Sequence, residues 1–102
     1  MRYIPEHFKL GPHTMHVIMD GDLVNDSEAY GMAEIGKQLI TIQTQFDGFT
    51  AASQRQTFIH ELVHMILDVM GETELSCNER FVEGFSQLLL QYMKTRRGNA
   101  DL

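Results

Sequence analysis

Apolar and polar residues alternate through the first half of this chain and recur with a longer period in the second. In "HTMHVIMD", Met15, Val17 and Met19 fall on one side and Thr14, His16, Ile18 and Asp20 on the other, the period of two that predicts a half-buried strand. "AYGMAEI" and "QLITIQTQF" flank Gly36-Lys37, a glycine-first pair suited to a two-residue hairpin turn, and the second segment sends Ile40, Ile42, Thr44 and Phe46 to one side. A shorter strand is expected in "EHFKL", ended by Gly11-Pro12, and "DGDLVNDSE" reads as a loop with room for one helical turn. After "FDGFTAAS" the period becomes helical. Ser53 and Gln56 stand in capping-box spacing and Gly71 follows the apolar run, which predicts a helix over about residues 54 to 70. Ser76 and Glu79 repeat that spacing ahead of a second helix over about residues 77 to 95. The expected fold is α+β: an antiparallel or mixed sheet of three to four short strands within residues 1 to 46, then two packed helices.

Size and composition narrow the class. A chain of 102 residues suits one domain, here about residues 1 to 95, followed by a polar tail over 96 to 102. With 43% hydrophobic and 22% charged residues it has the balance of a folded, soluble protein, and no apolar run approaches the roughly 20 residues of a membrane span. "MRYIPEHFKLGPH" lacks an apolar core and a cleavage site, so nothing marks the chain for secretion and a cytoplasmic location is expected. The lone Cys77 agrees with a reducing compartment. A formal charge of -6 argues against nucleic-acid binding, and "KTRRG" reads as a solvated helix end.

The chemistry concentrates in "FIHELVHMIL", residues 58 to 67. At 100° per residue the apolar side chains of this helix fill an arc of roughly 200°, and Thr57, His60, Glu61, His64 and Asp68 share the remainder. His60 and His64, one turn apart, can reach a single ion, with Glu61 beside them to handle a proton. A catalytic zinc takes three protein ligands and leaves a position for water, so a third ligand must come from elsewhere. "CNERFVEGF" offers Glu79 and Glu83, one turn apart on the second helix.

"HELVH" with "ERFVE" downstream resembles the gluzincin class of zinc metallopeptidases, in the minimal single-domain form of minigluzincins and of the ImmA/IrrE-like peptidases common in phages and mobile elements. The likeness spans roughly residues 28 to 92, on a firm core of ten or so positions. It implies a zincin-like core binding one Zn2+ per chain through His60, His64 and Glu79, with Glu61 as general base and Glu83 supporting a ligand histidine. The family's second acid is commonly aspartate, where this chain has Glu83. The expected reaction is peptide-bond hydrolysis by a zinc-bound water activated by Glu61, on a peptide or protein substrate added along a sheet edge.

The residues leave alternatives open. Glu79 could close a capping box with Ser76, and Glu83 could then be the ligand. Glu83 lies among apolar neighbours, where an unpaired carboxylate is costly. Asp68, one turn beyond His64, is a candidate to orient a ligand ring, and a solvated helix end is the plainer reading. Tyr30, His13 and Tyr92 are candidates for a second oxyanion donor. Cys77, near Glu79, could occupy the open zinc position as a latency switch, against the simpler reading of a buried thiol. His13 and His16 fall on opposite faces of a strand, and His7 carries no signal. Phe81, Phe85, Leu88 and Tyr92 form a stripe expected to pack the second helix on the first. Two functional rivals stand beside the peptidase: a zinc-binding regulatory or interaction module, and a metal-free interaction domain using its sheet edge. Oligomeric state is not legible.

Overall fold

A computed structural model describes residues 4 to 98 and has the α+β architecture expected of the sequence. Four strands, β1 (His7–Leu10), β2 (His13–Asp20), β3 (Gly31–Glu34) and β4 (Leu39–Gln43), form one sheet in the order β1-β2-β4-β3. The sheet is mixed: β1 and β2 pair antiparallel, as do β3 and β4, while β2 and β4 run parallel at its centre. Among the described residues four α-helices accompany the sheet: α1 (Leu23–Ser27) between β2 and β3, then α2 (Ala51–Met70), α3 (Thr73–Ser76) and α4 (Glu79–Thr95). Of the expected polar tail, residues 99 to 102 lie outside the described residues.

Helix α2 lies on the sheet because its apolar arc and the inner side chains of β2 and β4 bury one another. Met15, Ile40, Ile42, Phe58, Ile59, Met65 and Leu90 form the main core, and Phe8 meets Phe58 edge to face at 6.1 Å. A smaller cluster of Val63, Leu67 and Val82 joins α2 to α4. At about 25 cal/mol per Å² of apolar surface removed from water, these contacts are the chief favourable contribution to the fold.

Local sequence patterns and actual structure part company in four places. The β3–β4 connection is a 3-10 turn at Ile35–Lys37 followed by Gln38 in the left-handed region (φ 52°), in place of a two-residue turn on Gly36-Lys37. An ion pair of Lys37 with Glu34 at 3.1 Å spans it. Helix α2 begins at Ala51, three residues early. A Phe46/Phe49 bridge closes the preceding loop and delivers Thr50 as the cap, whose hydroxyl accepts from Ser53 N–H. The Ser76/Glu79 capping box does not form either. Asn78 caps α4 by accepting from Phe81 N–H, and Ser76 ends the separate helix α3. At the far end of α2, Gly71 adopts φ 82° and Glu72 N–H returns to Leu67 C=O, the glycine stop the sequence predicts.

The fourth difference concerns α4. Val82, Ser86 and Leu90 are its buried residues, while Phe85, Leu88 and Tyr92 are 50%, 69% and 59% exposed. Of the stripe expected to pack against the first helix, Phe85, Leu88 and Tyr92 therefore face outward, while Phe81 packs beside Val63 and Leu67 of α2. Helix α4 carries two apolar faces, with Val82 and Leu90 on the inner one.

Candidate metal centre

His60 and His64 project from the middle of α2, fixed by the buried Phe58, Ile59, Val63, Met65 and Leu67 of the same helix. Capping by Asn78 makes Glu79 the first residue of α4 and leaves its carboxylate unengaged by the helix terminus. Glu83 follows one turn later on the same side. The antiparallel approach of the two helices then brings both acids over the two imidazoles.

The Glu79 carboxylate straddles the rings. Its Oε2 lies 3.3 Å from His60 Nε2 and its Oε1 3.2 Å from His64 Nε2. The other ring nitrogens are occupied: His60 Nδ1 stands 3.1 Å from Glu83 Oε2, and His64 Nδ1 stands 3.2 Å from Ser76 Oγ. Gln87 Nε2 donates to the other Glu83 oxygen at 2.6 Å, and the Ser76 hydroxyl donates to His64 C=O at 3.5 Å. With protons held on Nδ1 by these acceptors, both Nε2 lone pairs would face a carboxylate, an arrangement of acceptors against acceptors. A shared cation would balance it; at His64 the other tautomer does so as well, with Nε2–H facing Glu79 and the Ser76 hydroxyl donating to Nδ1.

A cation fits. In a tetrahedral site with bonds of about 2.1 Å, neighbouring ligand atoms stand about 3.4 Å apart. Taking one donor atom from each, His60, His64 and Glu79 lie within 4.8 Å of one another, and the two short contacts just described run to different oxygens of the Glu79 carboxylate. These three residues form a group that could hold a metal ion, and each histidine has the outer hydrogen-bond partner that ligand histidines need to fix their tautomer.

Glu61 projects beside this group without joining it. Burial raises its carboxyl above the usual carboxylate range; His64 opposes that, Glu79 adds to it, and a hydrogen bond from Ala33 N–H opposes it. That bond ties Glu61 to edge strand β3, which lies unusually close to α2. A Cβ on Gly31 would come within 2.5 Å of Thr57 Cγ2 and 3.1 Å of Glu61 Cγ, so only glycine permits the approach. A cleft of about 540 Å³ opens alongside, lined by Tyr30, Gly31, Thr57, His60, Glu61 and Glu83 among others. Tyr30 is stacked on Phe49 at 4.8 Å, which holds its ring at the cleft wall.

The structure thus gathers His60, Glu61, His64, Glu79 and Glu83. Glu83 is half-exposed at 49% of its side chain and doubly hydrogen-bonded, so its place does not follow from a need to relieve a buried charge. Asp68 makes no hydrogen bond to His64 among the described residues; Ser76 occupies that position. Of the three candidate oxyanion donors, Tyr30 lines the cleft, whereas His13 lies on β2 and Tyr92 on the outer face of α4. Cys77 is exposed, contrary to a buried thiol, and is not one of the donor group. Ser76, Gln87 and Gly31 were not anticipated. An isolated glycine inside a strand is itself a signal of close backbone approach, whereas nothing local distinguishes Ser76 from a helix cap.

No known protein family matches the sequence, and no curated protein or solved structure matches it.

Proposed function

We propose that this chain is a zinc-dependent metallopeptidase of the gluzincin type, with His60, His64 and Glu79 as ligands and Glu61 as general base. The observation that carries the proposal is the convergence of two outer-anchored histidines on one carboxylate, with a second, partly desolvated carboxylate alongside. Bound there, zinc would supply a Lewis acid that lowers the pKa of a water to about 7 and offsets the charge of an oxyanion. Glu61 takes the proton of the attacking water and returns it to the leaving amine, a role that its partly buried position beside the donor group and the cleft supports. Glu83 and Ser76 keep Nδ1 of each histidine engaged and so leave Nε2 as the atom that would hold an ion. Tyr30 is the candidate for a second oxyanion donor. The substrate is an extended peptide added to the free edge of β3, where Gly31 lines the cleft and the chain direction leads past Glu61. No helix among the described residues is long and apolar enough to cross a membrane.

One observation favours a second reading, a zinc-binding module without peptidase activity. The Glu79 side chain is 69% exposed, so the donor group is open to water along one flank. The deciding experiment incubates the zinc-loaded chain and Glu61→Gln with a library of unstructured peptides and reads cleavage by mass spectrometry. Cleavage by wild type that is lost in Glu61→Gln at equal zinc content supports the peptidase. Equal cleavage by both removes Glu61 as the base, and stoichiometric zinc with no cleavage by either selects the module.

A further inference from the structure

The outer face of α4 has no role in the metal centre. At about 100° per residue, Phe81, Phe85, Leu88 and Tyr92 lie roughly opposite Glu79 and Glu83 around the helix. Their spacing of four, three and four residues is the seam of a helix that packs on another helix. Beside the seam, Ile66, Met70, Leu75, Phe81, Phe85 and Leu89 line an apolar groove of about 560 Å³ between α2, α3 and α4.

Gly84 is the second observation. It sits mid-helix, where glycine is less favourable than any residue but proline, and a Cβ there would meet nothing within 4 Å. Nothing among the described residues occupies that space. Together with Asn78, Arg80, Phe81 and Phe85, it borders a shallow dent on the outer face. A missing side chain next to an exposed seam is what close approach of another backbone requires.

We infer that α4 pairs antiparallel with α4 of a second copy of this chain, through Phe81, Phe85, Leu88 and Tyr92. The seam reads the same from both ends: a two-fold axis midway between Phe85 and Leu88 sets Phe85 against Leu88, Phe81 against Tyr92 and Gly84 against Leu89 of the other copy. A self-complementary patch of this kind is what a closed dimer needs. The charges agree. Glu72 and Glu74 flank the start of α4, Glu72 at the groove itself, and Lys94, Arg96 and Arg97 gather at its end, so antiparallel pairing sets acid against base. Arg80 is the cation at the acidic end, placed at the dent where the Tyr92 ring of the other copy arrives. The metal face points away, and the cleft stays open in the pair.

The test is solution mass by sedimentation and light scattering across protein concentration. Wild type is expected to reach twice the 11.7 kDa of the chain. Leu88→Glu and Gly84→Gln, both at exposed positions, should each weaken association at least about tenfold while leaving circular dichroism unchanged. Added salt should weaken it less than either variant. A chain that stays monomeric up to about millimolar concentration overturns the inference, as does a dimer indifferent to both variants. A monomer that binds anionic lipid vesicles, and loses that binding in Leu88→Glu, overturns it in favour of a membrane surface. None of these readouts depends on zinc or peptidase activity.

Discussion

Helices α2 and α4 both supply the donor group, but they do so from unequal footing. Helix α2 is capped at both ends and packed along its length, and its two histidines sit mostly out of solvent. Helix α4 presents Glu79 from its first residue, 69% exposed, on a terminus held by the Asn78 cap and one small apolar cluster. Half of the site is therefore built into the core, and half depends on how firmly the beginning of α4 is docked. A cation bound across both would strengthen the weaker half most.

The comparison breaks most severely if α2 loses a ligand. His64→Ala should abolish zinc uptake, and Glu79→Gln should reduce affinity by more than about a hundredfold, both read by competition titration with a chromogenic chelator. Wild-type affinity in Glu79→Gln would show that α4 contributes no ligand. The metal itself comes next. Zinc at about 100 times its Kd should stabilise the wild type by about 2.7 kcal/mol, reversed by chelation and absent in His64→Ala; thermal melts measure it. The supporting groups follow. Ser76→Ala and Glu83→Gln should each cost about 10- to 100-fold in zinc affinity, with the larger loss for Glu83→Gln because a carboxylate polarises the ring more than a hydroxyl. The caps sharpen the contrast further. Thr50→Ala and Asn78→Ala should each destabilise by about 1 kcal/mol, yet only Asn78→Ala should also weaken zinc binding, since it loosens the terminus that bears Glu79.

The smallest effect concerns the metal-free chain. Burial raises the Glu61 pKa above its ordinary 4.5, so the folded state holds this proton more tightly than the unfolded state. The resulting stability is complete at low pH and is lost as pH rises through the folded pKa. Glu61→Gln, neutral throughout, should therefore melt above wild type at neutral pH in chelator, and the gap should close as pH falls below about 4.5. A gap that widens in acid would mean that burial is not the dominant cause.

These contrasts also mark what the sequence could reveal. The pairing of His60 with His64 and the shared face of Glu79 and Glu83 follow from helical spacing alone, and the fold class follows from the change of period near residue 50. Caps were harder to read. Thr50, Ser53, Ser76 and Asn78 are all competent cap residues, and the choice among them was made by a loop bridge at Phe46/Phe49 and by the demand of His64 on the Ser76 hydroxyl. The parallel β2–β4 pairing joins segments that β3 separates in sequence, which periodicity does not report. Nor does it report which apolar face of α4 turns inward, because the exposed Phe85, Leu88 and Tyr92 are as apolar as the buried Val82 and Leu90.

The order of strands in the sheet bears on how the molecule assembles. Its central pair joins Val17 to Ile40, whereas the backbone bonds that build helices α2 and α4 join residues about four apart. Local contacts close faster than distant ones. Helices α2 and α4 are thus expected to form early in folding, and the sheet and the donor group, which join residues equally far apart in sequence, to close later. Zinc present during refolding should then leave the earliest helix formation unchanged and act on the later closure.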